Sequence, residues 1–441
     1  MTELLLGDNK ELLEKIEDES IDALVTDPPY LINFMGKDWD KENSPAGDAD
    51  FWALVLKKMK PGAHGLIFGH SRQHHRVMIA LEDAGFEIRD CLMWMYGSGF
   101  PKSHNIGAAV DKLEGNERKE IGKNPNHRET DALYKLGFQG GRGSGTITKG
   151  DSEWEGWGTA LKPAYEPIIM VRRPIEKKLT IAKNVLKHGV GGINIDACRV
   201  GTDEDFSKVQ PRNIQKLNSL SHDENSESHK KAKEKLQQLG RFPANVMFSH
   251  HPDCKKVGET EETIIGGNKG KSGFAEGYES GDFTKTKSKI DLYDCHDDCA
   301  VSILNEQQES ASRFFYCPKV SKKERNLGCN ELEDKERKRV NSGGLENDPK
   351  WAPVVSKNNH PTVKPIALMK YLIKLITPPT GKVLDPFMGS GSTGMACVEY
   401  GVRFVGMEKD ENYYNIAKSR IQYSINENAK RGCQNTEEDG D

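Results

Sequence analysis

Short apolar runs alternate with helix-period segments at both ends of the chain, which predicts an α/β protein with a doubly wound, parallel sheet. Three strand ends carry the prediction. Residues 3–6 read as a strand leading to Gly7-Asp8, residues 21–25 as a buried strand ending at Asp27-Pro28-Pro29-Tyr30, and residues 382–385 as a strand entering a glycine-rich turn. Helices are predicted over residues 10–16, 51–59 and 74–84, with further strands over 65–69 and 88–95. In doubly wound sheets ligands bind beyond the carboxyl ends of the strands, where the winding reverses. That topology would bring Asp27 and Gly389 together despite their separation in sequence.

The tetrapeptide Asp27-Pro28-Pro29-Tyr30 is chemically specific. Each proline fixes its own φ and lacks an N–H, so the loop is stiff and its carbonyls have no local donors to quench them. An acidic acceptor, a rigid carbonyl and an aromatic ring suit a planar, amine-bearing ring: two hydrogen bonds to its NH2 group and a surface to stack on. The plain reading is a proline-rich turn at a strand end.

At the other end of the chain, Pro386-Phe387-Met388-Gly389-Ser390-Gly391-Ser392-Thr393-Gly394 follows the strand and precedes a helix-compatible stretch, 395–400. Glycines there let the backbone approach a ligand and aim N–H groups at it from the helix start. A further strand over 403–407 ends in Glu408, at roughly the 20-residue spacing at which an acid meets ribose hydroxyls in nucleotide-binding βαβ units.

These residues resemble the S-adenosylmethionine-dependent DNA amino-methyltransferases in the permuted order called the beta class, of DPPY type. In that class the catalytic tetrapeptide comes first, a target-recognition region second and the cofactor loop last. His360-Pro361-Thr362-Val363-Lys364-Pro365 resembles the family's helix-opening motif, which helps enclose the cofactor. Gly97-Ser98-Gly99-Phe100-Pro101-Lys102 and Gly158-Thr159-Ala160-Leu161-Lys162-Pro163 are similar to motifs of phage and prophage members.

The resemblance implies a Rossmann-like methyltransferase sheet with a large inserted target-recognition region: residues 1–100 and 355–425 form the two halves of the methyltransferase domain, 101–354 the insert, and 426–441 an acidic, disordered tail. It implies catalytic roles for Asp27, Pro28, Pro29 and Tyr30. It implies cofactor contacts from Asp8, His360, Thr362, Lys364, Asp385, Phe387, Gly389, Ser390, Gly391 and Glu408, although Asp8 reads equally as a helix N-cap. The implied reaction is methylation of the N6 amine of adenine in double-stranded DNA, by base flipping and direct in-line transfer. N4-cytosine methylation is the nearest alternative; serine is commoner than aspartate at the first motif position in cytosine enzymes. Glutamine methylation uses a similar loop that usually begins with Asn, and a non-catalytic DNA-binding module is the alternative from outside enzymology. The family permits a homodimer. No nuclease-like motif is evident, which favours a stand-alone or phage-borne enzyme.

Composition allows this reading. The chain has 441 residues, 29% charged and 35% hydrophobic, enough for two or three domains with a polar insert. No apolar stretch approaches the roughly 18 residues of a membrane span, and no charged-then-apolar leader opens the chain, so the expected location is cytoplasmic. The net charge of −4 is matched by Glu437, Glu438, Asp439 and Asp441 alone. Local basic patches must therefore meet any DNA phosphates.

The middle of the chain is different in kind. Glycines crowd residues 137–158, and residues 219–239 are polar and charged. Arg241-Phe242, Arg313-Phe314-Phe315-Tyr316 and residues 319–325 mix cationic and aromatic side chains, as a nucleic-acid contact does, though solvated charge reads residues 319–325 equally well. Of nine cysteines, Cys254, Cys295 and Cys299 fall in two clusters, His250-His251-Pro252-Asp253-Cys254 and Cys295-His296-Asp297-Asp298-Cys299. That pattern resembles a Cys3His structural zinc site stapling the insert, with unconnected surface residues as the competing reading. Similar segments in the family keep a histidine four residues before the cysteine, which favours His250 over His251.

Overall fold

The computed structural model describes residues 2–32, 44–96, 103–123, 146–200, 241–251, 253–266, 284–296, 299–307, 315, 322–337 and 354–438. Eight strands form the main sheet: β1 (Thr2–Leu6), β2 (Ile21–Thr26), β3 (Met59–Phe68), β4 (Glu87–Tyr96), β5 (Tyr165–Arg172), β6 (Val246–Ser249), β7 (Lys382–Asp385) and β8 (Arg403–Glu408). Their order is β1-β8-β7-β2-β3-β5-β4-β6. The first and last segments of the chain thus pair side by side, with β7 next to β2 and β8 next to β1.

Both faces of the sheet are buried, as near-continuous apolar strands require. Side chains alternate between two cores with the period of two that a strand imposes. Ala23, Val25, Leu66, Phe68, Ile168 and Met170 enter one core. Leu24, Ile67, Ile169 and Val171 enter the other. The first core is closed by helices α6 (Ile366–Ile376) and α7 (Ser392–Tyr400), and the second by α1 (Asn9–Glu14), α2 (Ala49–Lys58) and α3 (His74–Asp83). Helix α4 (Ile181–His188) and helix α5 (Ala300–Gln307) follow β5 and β6, and α8 (Glu411–Glu438) follows β8.

Three features depart from the sequence expectations. The sheet is not wholly parallel, because β5 runs antiparallel to both β3 and β4. The stretch 101–354 is not one insert: residues Tyr165–Asn330 belong to the compact unit that contains the sheet, whereas Ser98–Ala164 and Glu331–Pro361 form a second unit. The uninterrupted apolar run of residues 168–171, in the unit that contains the sheet, is what places β5 in the sheet's interior, between β3 and β4. Lastly, residues 426–438 continue α8 rather than forming a disordered tail, and Asn428 Nδ2 donates to the Val398 carbonyl at 2.6 Å.

The second unit holds helix Ile106–Glu114, the paired strands Lys119–Lys123 and Thr146–Lys149, and the paired strands Lys335–Arg337 and Val354–Ser356. Within it the Arg118 guanidinium is held by Glu155, at 2.8 and 2.9 Å, and by the buried Asp111. Of the sequence segments singled out, 97–102, 137–145, 219–239, 252, 297–298, 313–314, 316, 319–321 and 439–441 lie outside the described residues. Among the described residues no helix is long and apolar enough to cross a membrane.

Candidate active site

Strands β2 and β7 are neighbours, so their carboxyl ends deliver the proline-rich tetrapeptide and the glycine-rich turn to one place. The join is a buried carboxylate. Asp385, 1% exposed, accepts hydrogen bonds from the Thr26 hydroxyl and the Thr393 hydroxyl, both at 2.6 Å, and from the Phe387 N–H at 3.1 Å. Burial pushes its carboxyl up to about 6, against the pull of those three donors, and the charge of Asp27 adds to the rise. With its oxygens so engaged, Asp385 shapes the turn from inside.

The turn itself is tightly held. Gly391 has φ of 79°, and a Cβ there would meet Ala417 of α8 at 3.0 Å. Arg420, fully buried on α8, donates to the Ser390 carbonyl at 2.6 Å and reaches the Ser390 and Ser392 hydroxyls at 3.2 and 3.3 Å. Phe387 packs its ring against Phe51 and Trp52, with centroids 5.3 and 6.3 Å away. Glu408, at the end of β8, accepts from the Gly389 N–H and the Asp410 N–H, each at 2.9 Å. Burial raises its carboxyl to about 7, against three backbone donors. Asp8 caps α1 by accepting from the Lys10 N–H at 3.0 Å, and its other oxygen takes Lys409 at 3.0 Å. Gly7 N–H donates to the Glu408 carbonyl at 2.9 Å, which brings this end of β1 to the same rim. These residues make a cradle of close backbone, one aromatic face and acidic acceptors, a donor and acceptor set that fits a nucleoside-bearing cofactor.

The tetrapeptide has a more elaborate setting than its sequence predicts. Asp27 Oδ2 lies 2.6 Å from Lys364 Nζ, and Asp27 Oδ1 lies 2.9 Å from the Tyr30 hydroxyl. That hydroxyl is also 2.8 Å from Glu166 Oε2 and 3.0 Å from Lys364 Nζ. Lys364 in turn is 3.4 Å from Glu166. Lys364 is 7% exposed, and its ammonium sits over the rings of Phe68 and Tyr30 at 4.9 and 5.3 Å. Burial pulls the lysine down, but the charges of Asp27 and Glu166 prevail and hold it above its ordinary value. Burial and the same two carboxylates push the Tyr30 phenol well above its usual range. Leu31, directly after Tyr30, is buried and takes the left-handed conformation, with φ of 58°, which is uncommon for a residue with a side chain.

Lys364, expected from its motif to contact the cofactor, pairs here with Asp27 from the segment leading into α6. Thr362 is exposed, and His360 lies in the second unit, where its N–H donates to Asn358 Oδ1 at 3.1 Å. Glu166 was missed by the sequence reading. It reaches the pocket because β5 is reversed: the first residues of an antiparallel strand lie beside the last residues of its parallel neighbours, and Ile168 pairs with Phe68. An acid followed by proline at the mouth of an apolar run, Glu166-Pro167 before residues 168–171, repeats the signal that marks Asp27-Pro28. The Tyr30 hydroxyl, given no part in a stacking role, is the hub that links both carboxylates.

A second cluster lies at the sheet's edge. His250 follows β6, Cys254 precedes strand Lys255–Gly266, Cys295 follows strand Thr284–Asp294, and Cys299 precedes α5. Those two strands form an antiparallel hairpin closed by the pair Lys255 and Asp294, so the four residues gather at its root. Their ligand atoms lie within 4.8 Å of one another. His250 Nδ1 is 3.4 Å from Cys295 Sγ and 3.6 Å from Cys299 Sγ. Backbone N–H groups of His251 and His296 point at Cys299 Sγ and Cys254 Sγ, at 3.5 and 3.4 Å. The His251 ring instead accepts from the Asp253 N–H at 3.2 Å and stacks on His296. Of the two histidines, His250 is the one that meets the thiols.

The elevated Glu408 carboxyl has a thermodynamic signature. Its folded value near 7 exceeds the ordinary 4.5, so the stability it contributes is complete below pH 4.5 and is lost as pH rises through 7. Glu408→Gln removes that titration. Thermal melting without cofactor should show the variant gaining on the parent across this window, by up to about 3 kcal/mol. A difference that stays constant with pH would contradict the assignment.

The family model described as DNA methylase, N6_N4_Mtase, matches residues 21–419. Type II methyltransferase M.HindIII of Haemophilus influenzae is 21% identical over 93% of this chain and 91% of its own length. Type II methyltransferase M2.DpnII of Streptococcus pneumoniae is 38% identical, over 21% of this chain and 33% of its own. Among solved structures, the M1.HpyAVI–SAM complex is 14% identical with a TM-score of 0.35, covering 96% of this chain and 100% of that one. PvuII DNA methyltransferase, titled cytosine-N4-specific, is 13% identical with a TM-score of 0.39, covering 95% of this chain and 86% of that one. At such scores the structural likeness carries no argument; the sheet and the family match do. With both the tetrapeptide and the glycine-rich turn inside the matched span, the chain belongs to the N6/N4 DNA methylase family.

Proposed function

We propose that this chain is a beta-class, DPPY-type DNA methyltransferase that transfers a methyl group from S-adenosylmethionine to the N6 amine of adenine in double-stranded DNA. The observation that carries the reading is the junction of Thr26 and Asp385, which seats the Asp27 loop against the glycine-rich turn. S-adenosylmethionine, when bound, supplies an electrophilic sulfonium methyl. Glu408 and the backbone of Gly389 to Gly391 would hold it, with Asp8 and Phe387 at its rim.

The chain's own residues do the rest. An exocyclic ring amine is a poor nucleophile, because its lone pair is delocalised. Asp27 and the Pro28 carbonyl accept its two N–H groups, favouring a pyramidal nitrogen whose pair is localised. Asp27 is also the nearest base for the proton the nitrogen sheds once it carries the methyl group. The target atom is hidden in duplex stacking, so the base must swing out, and the Tyr30 ring, with His70 6.1 Å away, offers the surface that offsets part of that cost. Positioning and electrostatics supply the rate. No covalent enzyme intermediate is required.

Expression in a host lacking DNA methylation, followed by mass spectrometry of the hydrolysed nucleosides, tests this directly. N6-methyladenine should appear with the parent and vanish with Asp27→Ala, while cofactor affinity changes little. N4-methylcytosine in its place would favour the alternative base. Neither product, or full methylation by Asp27→Ala, would refute the reading.

We further propose that His250, Cys254, Cys295 and Cys299 hold a structural zinc that fixes the hairpin root to β6. The Cys3His donor set and the N–H groups aimed at two sulfurs suit it, since such donors stabilise ligating thiolates. Metal analysis of protein purified without a histidine tag should give about one zinc per chain, and Cys295→Ala should lose it. A stoichiometry near zero in the parent would remove the idea.

A further inference from the structure

We infer that Glu166 is a positioning residue that receives Lys364 when a substrate amine claims Asp27; the inference rests on the proposed amine methylation. As the site stands, both Asp27 oxygens have donors, one from Tyr30 and one from Lys364. The Lys364 ammonium, 2.6 Å from Oδ2, occupies the position an incoming amine needs. It also cancels the charge that would stabilise that nitrogen as it becomes cationic during transfer. For the pocket to accept substrate, the lysine must move.

Its surroundings leave one direction. Lys364 is 7% exposed and walled by Phe68 and the Tyr30 ring, so departure into water would require the segment before α6 to unpack. Glu166 Oε2 is only 3.4 Å from the same nitrogen, so a shift of about 1 Å makes a full charge-assisted hydrogen bond. The Tyr30 hydroxyl lies between the two carboxylates, at 2.9 and 2.8 Å, and its single proton can serve either one. A lysine paired with Glu166 is neutralised, and Asp27 keeps its negative charge for the amine. With one carboxylate the pocket could serve the lysine or the substrate. With two it serves both.

The test is steady-state methyl transfer from tritium-labelled S-adenosylmethionine to plasmid DNA from a methylation-deficient host. Glu166→Gln keeps the shape but leaves Lys364 with Asp27 as its one carboxylate; kcat should fall about tenfold or more, with KM for S-adenosylmethionine within about twofold. Adding Lys364→Met removes the competing cation, so Glu166→Gln/Lys364→Met should turn over faster than Glu166→Gln alone. A merely structural glutamate would give the opposite, a double variant worse than the single. Glu166→Asp keeps the charge at shorter reach and should fall between parent and Glu166→Gln; it serves as the reporter if the amide variant melts early. Parental kcat in Glu166→Gln, or no gain in the double variant, overturns the inference while the methylation reading stands. A parent that labels no DNA overturns that reading and the inference with it.

Discussion

The buried carboxylate of Asp385 is the constraint on which the site depends. It accepts from Thr26 at the end of β2 and from Thr393 at the start of α7, so one side chain ties the proline-rich tetrapeptide to the glycine-rich turn across 359 residues of sequence. A buried carboxylate is costly unless its oxygens are filled, and here two hydroxyls and an N–H fill them. The same logic acts on the outer side of the turn, where Arg420 satisfies Ser390 from beneath. The turn is held from inside by these polar contacts, and Arg420 is itself fixed by a further bond to the Glu324 carbonyl at 3.2 Å.

The tetrapeptide end, where we propose the amine binds, is built on a different balance. Two carboxylates, one ammonium and one phenol share a pocket walled by aromatic rings, an arrangement whose net charge is negative when the acids are ionised. Reaction at an amine creates positive charge on nitrogen, and a pocket with surplus negative charge stabilises it. The reversed direction of β5 is what makes this possible. Had that strand run parallel to its neighbours, Glu166 would lie at the opposite edge of the sheet, and Lys364 would have Asp27 as its one acidic partner.

Much of this was legible in the chain. Strands ending at Asp27 and at Asp385 announced themselves by apolar runs closed by proline or glycine, and their β-α-β setting implied that they meet. The four metal-type ligands were legible as two spaced pairs, and the hairpin between them explains why the pairs sit 41 residues apart, from Cys254 to Cys295. What was not legible depended on partners distant in sequence. Lys364 belongs to a motif whose neighbours suggest a cofactor contact, and nothing local says that its ammonium turns toward Asp27. Glu166 lay in a stretch dominated by glycine and charge, where one apolar run was the only sign of a core strand. Arg420 reads as an ordinary polar residue on a polar helix, and only tertiary packing makes it buried.

The proposed transfer requires that the cofactor's reactive end face Asp27 while its sugar rests on Glu408. A crystal structure of the protein with S-adenosylhomocysteine measures this in one step. The expected result is ribose hydroxyls hydrogen-bonded to the Glu408 carboxylate and a sulfur atom directed at the space between Asp27 and Tyr30. A ribose held away from Glu408, with the sulfur turned from the tetrapeptide, would contradict it.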